Sequence, residues 1–366
     1  MGRKRVVVKI GSSSLTNDCG EIDGEKMFDH VRAIVRLREC NHEVILVSSG
    51  AVASGFRRLG LPTRPVTLKG KQAAAAVGQS LLIQSYIEKF NKFNIMPAQI
   101  LLTRGDFSDK ERYQNAFQTI TELLNRQVLP IINENDTVAI DELTFGDNDM
   151  LSALVSGFIH ADQLIILTDI NGLYDKNPLT NPDAKKIHFL DRISNELLQS
   201  VDYTGSKFGT GGMKSKIEAA HTALSLGVPV FIGAGTGDEK LVNIMVGKGD
   251  GTYIVDRSIS TINTKRQWIA LHSAVDGKLY IDRGAEKALL KNGKSLLLVG
   301  IVKVKGNFEK GDVVEVYGEN SLLGKGKVNY SAADIHAQLA MRQENIPKEK
   351  IFPTREVIHR DYWIEV

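Results

Sequence analysis

The first 257 residues alternate between short, almost continuous apolar runs and longer segments whose apolar residues recur at helical spacing. The apolar runs predict buried strands, at 6–10, 44–47, 100–102, 128–132, 164–167 and 228–232. The helically spaced segments predict helices, at 25–39, 71–90, 112–125, from 149 onward and from 217 onward. Near-continuous apolar strands belong to a sheet that helices cover on both faces. The pattern therefore predicts an α/β fold, an αβα sandwich with a mostly parallel, open sheet.

The pattern changes after residue 257. Residues 258–273 are polar and then basic, which is typical of a linker. From residue 274 the apolar segments are shorter and glycine-containing turns separate them, at 278–281, 295–302 and 313–317. We therefore predict a large domain over 1–257, a linker over 258–273 and a small, mainly β domain over 274–366.

Composition narrows the class of protein. At 366 residues the chain exceeds the usual size of a single core. Its apolar fraction of 42% and charged fraction of 24% are ordinary for a soluble globular protein, and a net charge of +3 gives no general reason to bind nucleic acid or membranes. Cys19 and Cys40 are too few for a disulfide framework, and no apolar run reaches the roughly 20 residues of a membrane helix. We expect a cytoplasmic protein.

Polar clusters follow four of the predicted strands, namely Lys9 to Ser12, Ser48 to Gly50, Asn133 to Asp136 and Thr168-Asp169. In an open α/β sheet the ligand lies outside the carboxyl ends of the strands. One such cluster would mean little, because Asp, Asn and Ser also cap helices and form turns. Several clusters at the same edge of the sheet indicate a binding site there.

A glycine-rich loop at 209–216 (GTGGMKSK) opens a predicted helix. Backbone N–H groups at a helix start attract anions, and a lysine there adds a charge suited to phosphate. The loop lacks the GxxxxGK spacing of a P-loop, so on its own it is equally consistent with a tight surface turn. The remaining residues have to decide between the two interpretations.

The sequence lacks the motifs that several other common chemistries require. The eight histidines form no HxxxH pair and have no cysteine partners, Ser49 lies outside a GxSxG elbow, and no GxGxxG follows the first strand. Lysines, glycine loops and a few carboxylates remain. Phosphoryl transfer depends on positioning and charge neutralisation, so this set favours it.

The motifs resemble those of the amino acid kinase family, with a C-terminal segment that is similar to a PUA domain. The matching stretches are VVVKIGSSSLT (6–16), VILVSSGAVASG (44–55), INENDTVA (132–139), FGDND (145–149), LTDINGLYDKNP (167–178), GTGGMKSK (209–216) and DRGAEKALLKNGKSLLLVGIVKVKGNFEKGD (282–312). The resemblance implies an amino acid kinase fold over 1–257 and a PUA domain over 274–366. FGDND and GTGGM resemble the motifs of one branch of the family. For this chain the resemblance therefore implies phosphorylation of the side-chain carboxylate of L-glutamate with ATP and Mg²⁺, the first step of proline biosynthesis. It also implies feedback inhibition by proline, and we expect a homo-oligomer, a dimer or tetramer.

The resemblance also implies roles for individual residues. Lys9 and Lys216 are expected to neutralise the phosphoryl group and the leaving ADP, and Asp149 to organise the two lysines. The expected glutamate-binding residues are Ser49, Asp136 and Asn148. The expected ATP-binding residues are Lys9, Thr168, Asp169, Thr210, Gly211, Gly212, Met213, Lys214, Ser215 and Lys216. Ser215 stands where the family usually has threonine, which keeps the hydroxyl. The sequence singles out no side chain as a metal ligand and leaves open whether protein side chains or only phosphates and water bind Mg²⁺.

Two alternatives remain open. The first is a related kinase that acts on aspartate, acetylglutamate or a nucleoside monophosphate. The second is an RNA-associated regulatory protein, since PUA domains in other proteins often bind RNA. Residues 274–366 carry 15 Lys and Arg against 13 Asp and Glu, a net charge of +2. That balance is too even for a strong electrostatic RNA footprint, so a role in assembly or regulation is favoured over RNA binding.

Overall fold

The structure is a computed structural model that describes residues 2–138, 148–176, 178, 181–193, 212–256, 275–290, 293–319, 321–343 and 356–365. The chain folds into two compact units. The first unit is Met1–Arg104 with Gln114–Thr261, and the second is Gly105–Tyr113 with Ile262–Val366. The division near residue 261 lies inside the predicted linker, and the domain bounds 1–257 and 274–366 stay a prediction.

The first unit is built on an eight-stranded sheet. Its strands are β1 (Arg5–Ile10), β2 (Glu43–Ser48), β3 (Pro97–Leu102), β4 (Leu129–Glu134), β5 (Gln163–Leu167), β8 (Phe189–Leu190), β9 (Val230–Ala234) and β10 (Asp250–Ile254), and a separate ribbon pairs β6 (Leu173–Tyr174) with β7 (Lys186–Ile187). The order across the sheet is β3-β4-β2-β1-β5-β9-β10-β8. The first six strands in this spatial order, β3, β4, β2, β1, β5 and β9, are parallel to one another. Strand β10 runs antiparallel to β9. The predicted mostly parallel sheet is confirmed.

Eight helices are described before residue 257. They are α1 (Gly24–Glu39), α2 (Ala51–Gly55), α3 (Leu68–Asn91), α4 (Arg104–Ser108), α5 (Lys110–Asn125), α6 (Asn148–Phe158), α7 (Met213–Ser225) and α8 (Lys240–Met245). The longer ones lie where apolar spacing predicts them. Helix α1 begins after Asp23, whose carboxylate accepts the backbone N–H groups of Glu25 and Lys26 and so caps the first turn.

Strand β1 holds the centre of the sheet. Its Val6, Val7, Val8 and Ile10 are fully buried, which is what a continuous β-branched run between two helical layers requires. Ile10 pairs with the last residue of β2 on one side and with the last residue of β5 on the other. The chain continues to one side of β1 through β2, β4 and β3, and to the other side through β5 and β9. This reversal places a crevice at the carboxyl ends of β1 and β5, where open α/β sheets bind ligands.

The second unit contains a five-stranded sheet in the order β12-β11-β13-β14-β15. Its strands and helices are β11 (Gly277–Ile281), α9 (Arg283–Leu290), β12 (Ile301–Gly306), β13 (Val313–Tyr317), β14 (Leu322–Val328), α10 (Ala332–Gln343) and β15 (Ile358–Glu365). The predicted small, mainly β domain is confirmed. Within the described residues of the whole chain, no helix is long and apolar enough to cross a membrane.

One apolar segment of the second unit does not form a continuous strand. Residues 295–302 alternate in burial as a strand would, but residues 298–300 form a 3-10 turn and β12 begins only at Ile301. Gly300 lies against Ala285 of α9, where an added Cβ would approach the Ala285 Cβ to 2.4 Å. The turn is therefore set by packing on a helix that the apolar pattern does not reveal.

Helix α2 begins directly after the polar end of β2 and packs on α3 through glycine. An added Cβ at Gly55 would lie 2.0 Å from the carbonyl oxygen of Ala74, and one at Gly78 would lie 1.8 Å from that of Ala51. The two helices are thus in backbone contact, which leaves no room for a larger side chain. This contact fixes the start of α2 and the polar residues that precede it.

We predict that Gly78→Ala lowers the free energy of unfolding by about 3 kcal/mol, because the methyl group must push α2 and α3 apart. Gly24→Ala is the matched control, since an added Cβ there meets nothing within 4 Å and the residue is exposed. Denaturant unfolding of both variants measures the difference. Equal stability of Gly78→Ala and the wild type would show that the helices separate at little cost.

Candidate active site

Polar residues collect at one edge of the large sheet, which we call the carboxyl edge and define by the ends of β1, β2, β4 and β5. Strand β1 brings Lys9 to this edge, and β2 leads into Ser49. The first turns of α6 and α7 supply Asn148, Asp149 and Lys216. Residues from four separate parts of the chain therefore meet at the crevice beside β1.

The centre of the site is the Lys9–Asp149–Lys216 cluster. The Nζ atom of Lys9 lies 2.5 Å from Oδ1 of Asp149, and the Nζ atom of Lys216 lies 3.1 Å from its Oδ2. Exposure is 2% for Lys9, 0% for Asp149 and 8% for Lys216. Each carboxylate oxygen thus receives one ammonium group, and the buried cluster keeps a net charge of +1. Such a surplus of buried positive charge attracts an anion.

Local structure explains why these charges tolerate burial. Asp149 is the second residue of α6, where the positive end of the helix stabilises a carboxylate. Ser215 adds a hydroxyl that lies 3.3 Å from Oδ2 of Asp149 and 2.9 Å from the carbonyl oxygen of Gly212. The hydroxyl that the usual threonine would offer is therefore present, and it contacts the central carboxylate.

A second polar group surrounds Asn148. Its Nδ2 atom donates to Oγ of Ser49 at 2.8 Å and to Oδ1 of Asn133 at 2.9 Å. The same amide nitrogen lies 3.4 Å from the carbonyl oxygen of Ser48. The predicted pair Ser49 and Asn148 is thus in direct contact, beside Asp149 in the chain.

The predicted nucleotide residues lie at the start of α7 and after β5. Thr168 is buried, donates its hydroxyl to Asp169 at 3.0 Å and donates its backbone N–H to the carbonyl oxygen of Gly233. On α7, Met213 is buried and Lys214 is exposed, and Gly212 precedes the first turn. Thr210 and Gly211 lie outside the described residues.

Asp136 follows β4 by two residues and is half-buried. Burial raises the pKa of its carboxyl group to about 6. A carboxylate whose charge is held out of water in this way is poised to gain from a cationic partner. The environment thus distinguishes Asp136 from an ordinary solvated turn residue.

The side chains described above are not arranged as a set of metal ligands. In the described part of the chain, no three His, Cys, Asp or Glu residues approach closely enough to hold a metal ion. Both oxygens of Asp149 already receive lysines.

Sequence reasoning missed some members of the site. Asn133 is buried and bonded to Asn148, and Gln79 of α3 is bonded to Asn133. The hydroxyl of Ser48 meets that of the buried Tyr86 at 2.8 Å. Asn133 stands in a polar cluster after a strand, which is a usable signal. Gln79 and Tyr86 stand inside a helix among alanines and leucines, where no local pattern marks them.

The chain is similar to known proteins in both parts of its sequence. The sequence model of the amino acid kinase family matches residues 4–234, and that of the PUA domain matches residues 277–343. Glutamate 5-kinase 1 of Bacillus licheniformis is 60% identical over 366 residues, and glutamate 5-kinase 1 of Bacillus subtilis is 58% identical, both over all of this chain and all of the relative. Among solved structures, the carbamate kinase of Giardia lamblia bound to AMP-PNP matches with a TM-score of 0.50 and 18% identity, over 69% of this chain and 99% of that one. That structural likeness shows the fold.

We predict that Asp149→Asn lowers the free energy of unfolding by about 4 kcal/mol, because it leaves two buried lysines without their countercharge. Asp169→Asn is the matched control, since Asp169 is exposed and an asparagine oxygen still accepts from Thr168. Denaturant unfolding at neutral pH compares the two variants. Equal stabilities would mean that the lysines do not depend on the carboxylate.

Proposed function

The chain belongs to the amino acid kinase family, among its glutamate 5-kinases, and we propose that it transfers the γ-phosphoryl group of ATP to the side-chain carboxylate of L-glutamate. The observation that carries the proposal is the Lys9–Asp149–Lys216 cluster at the carboxyl edge. The identity of 60% to a glutamate 5-kinase favours glutamate over the acceptors of related kinases. We further propose that the product enters proline biosynthesis and that proline inhibits the enzyme.

The chemistry needs no general base. A glutamate side chain has a pKa near 4.3, so the attacking carboxylate is already ionised at neutral pH. The obstacle is repulsion between this carboxylate and the γ-phosphate. As the acceptor oxygen bonds to phosphorus and the bond to ADP breaks, negative charge moves onto the leaving ADP. Lys9 and Lys216 meet this charge from β1 and α7, and Asp149 holds both ammonium groups in place beforehand.

Three residues are proposed to hold glutamate. The carboxylate of Asp136 suits the α-ammonium group of the substrate. Ser49 and Asn148 offer a hydroxyl and an amide beside the cluster, which suit a carboxylate of the substrate. Their contact with each other would keep both groups oriented before the substrate arrives.

ATP is proposed to lie along β5 and the start of α7. Thr168, Asp169 and residues 210–216 would contact it, with the first turn of α7 directed at the phosphates. Mg²⁺ would be bound by phosphate oxygens and water, since the oxygens of Asp149 are occupied by lysines. Its chemistry is to neutralise phosphate charge.

The acceptor test decides the proposal. ADP release is measured with L-glutamate, N-acetylglutamate and L-aspartate, with hydroxylamine present to trap an acyl phosphate. We expect turnover and hydroxamate with glutamate, and suppression by added proline. Turnover with N-acetylglutamate and none with glutamate would overturn the assignment, whereas glutamate turnover that proline leaves unchanged would remove only the inhibition.

We predict that the KM for glutamate rises about tenfold between pH 7 and pH 5, because protonation of Asp136 removes the charge that pairs with the substrate ammonium. The sign follows from the raised pKa of about 6: the carboxylate is ionised above that pH and neutral below it. In Asp136→Asn the KM should be high and flat across this range. Ser49→Ala is the control and should keep the wild-type pH dependence. A flat wild-type profile would exclude Asp136 as the ammonium partner.

A further inference from the structure

A chain of side-chain amides runs from α3 to the proposed glutamate-binding residues. Gln79 accepts a hydrogen bond through Oε1 from Nδ2 of Asn133 at 2.7 Å. Asn133 in turn accepts through Oδ1 from Nδ2 of Asn148 at 2.9 Å. Asn148 also donates to Oγ of Ser49. Side-chain hydrogen bonds thus join three elements, α3, β4 and α6, and each amide donates to the next one toward α3.

Neighbouring backbone groups identify which end of each asparagine amide is oxygen and which is nitrogen. The backbone N–H of Glu134 is only a donor, and it lies 2.9 Å from Oδ1 of Asn133 and 3.3 Å from Oδ1 of Asn148. The carbonyl oxygen of Ser48 is only an acceptor, and it lies 3.4 Å from Nδ2 of Asn148. The NH₂ group of Asn133 therefore faces α3, and the side-chain oxygen of Gln79 accepts a hydrogen bond from it.

This direction has a consequence for Ser49. Its oxygen accepts from Asn148, so its own hydroxyl hydrogen is directed elsewhere and is available to an incoming acceptor. A flipped Asn148 would present an oxygen to Ser49 and would take up that hydrogen. Whether Ser49 offers a donor therefore depends on the orientation of Asn148, and through Asn133 on Gln79.

We propose that Gln79 is a positioning residue, which together with the backbone N–H of Glu134 holds the orientation of Asn133 and Asn148 and so keeps the Ser49 hydroxyl directed at an acidic substrate. The inference rests on the proposed function of the site. Gln79 is well suited to this role because the neighbouring Gly78 is in backbone contact with α2, the helix that begins just after Ser49. Helix α3 thereby holds the site through its backbone and through one side chain.

The test is Gln79→Met, which keeps the length of the side chain and removes the acceptor. We expect the KM for glutamate to rise about tenfold, because the buried Asn133 amide loses one of the two hydrogen bonds that hold its orientation. The KM for ATP should stay within twofold of the wild type, and the melting temperature should fall by no more than about 5 °C, the cost of one unsatisfied buried donor. Gln84→Met is the matched control, since Gln84 lies on the same helix and bonds only to the exposed Glu88 among the contacts described.

The double variant Gln79→Met/Asn133→Ala separates positioning from direct contact. If Gln79 acts through Asn133, the glutamate KM of the double variant equals that of Asn133→Ala alone. Additive losses would overturn the proposal and indicate that Gln79 touches the substrate itself. Equal losses for glutamate and ATP, or a large fall in melting temperature, would reduce Gln79 to a structural residue. Wild-type turnover with glutamate is measured first, so that failure of the proposed function is recognised separately.

Discussion

One buried carboxylate holds the carboxyl edge of the large sheet together. Asp149 binds a lysine from the central strand β1 and another from the first turn of α7. All three charged side chains are buried away from water. Ion pairs of this kind gain little stability over apolar packing, but removing one member leaves charge stranded in a low-dielectric interior. The position of α6, α7 and β1 relative to one another is thus tied to the charge balance of the cluster. The same balance leaves one positive charge for a ligand.

Two further features position the rest of the site around this cluster, namely helix α6 and the packing of α2 on α3. Asn148 precedes Asp149 on α6, so the helix that presents the carboxylate also presents the amide that contacts Ser49. Backbone contact between α2 and α3 fixes the start of α2, and with it the position of Ser49 just before that helix. The groups proposed to bind the acceptor substrate and the phosphoryl group are in this way held by rigid elements rather than by side chains alone.

Much of this arrangement follows from the sequence. Continuous apolar runs such as Val6 to Val8 predict the buried strands, and the polar residues after them predict the edge at which a ligand binds. The contact between Lys9 and Lys216 through one carboxylate is implied only by the resemblance to a known family and not by the residue pattern, because partners so distant in the chain are joined only by the fold. Gln79 is likewise hidden, since its role depends on Asn133 facing it across two elements. In the second unit, the turn at 298–300 depends on packing against Ala285, which no alternation of apolar residues can express.

The place of β1 in the sheet has a consequence for how the protein is made. β1 is synthesised before β2 and β5, yet it lies between them, and β5 ends only at Leu167. Asp149, the countercharge of Lys9, also emerges from the ribosome long after β1, so early burial of β1 would bury an unpaired lysine. The nascent chain therefore cannot complete the middle of its sheet early, and this apolar strand stays partly exposed until then. Non-local pairings of this kind slow folding, and an apolar strand that waits exposed is prone to aggregate before it is paired.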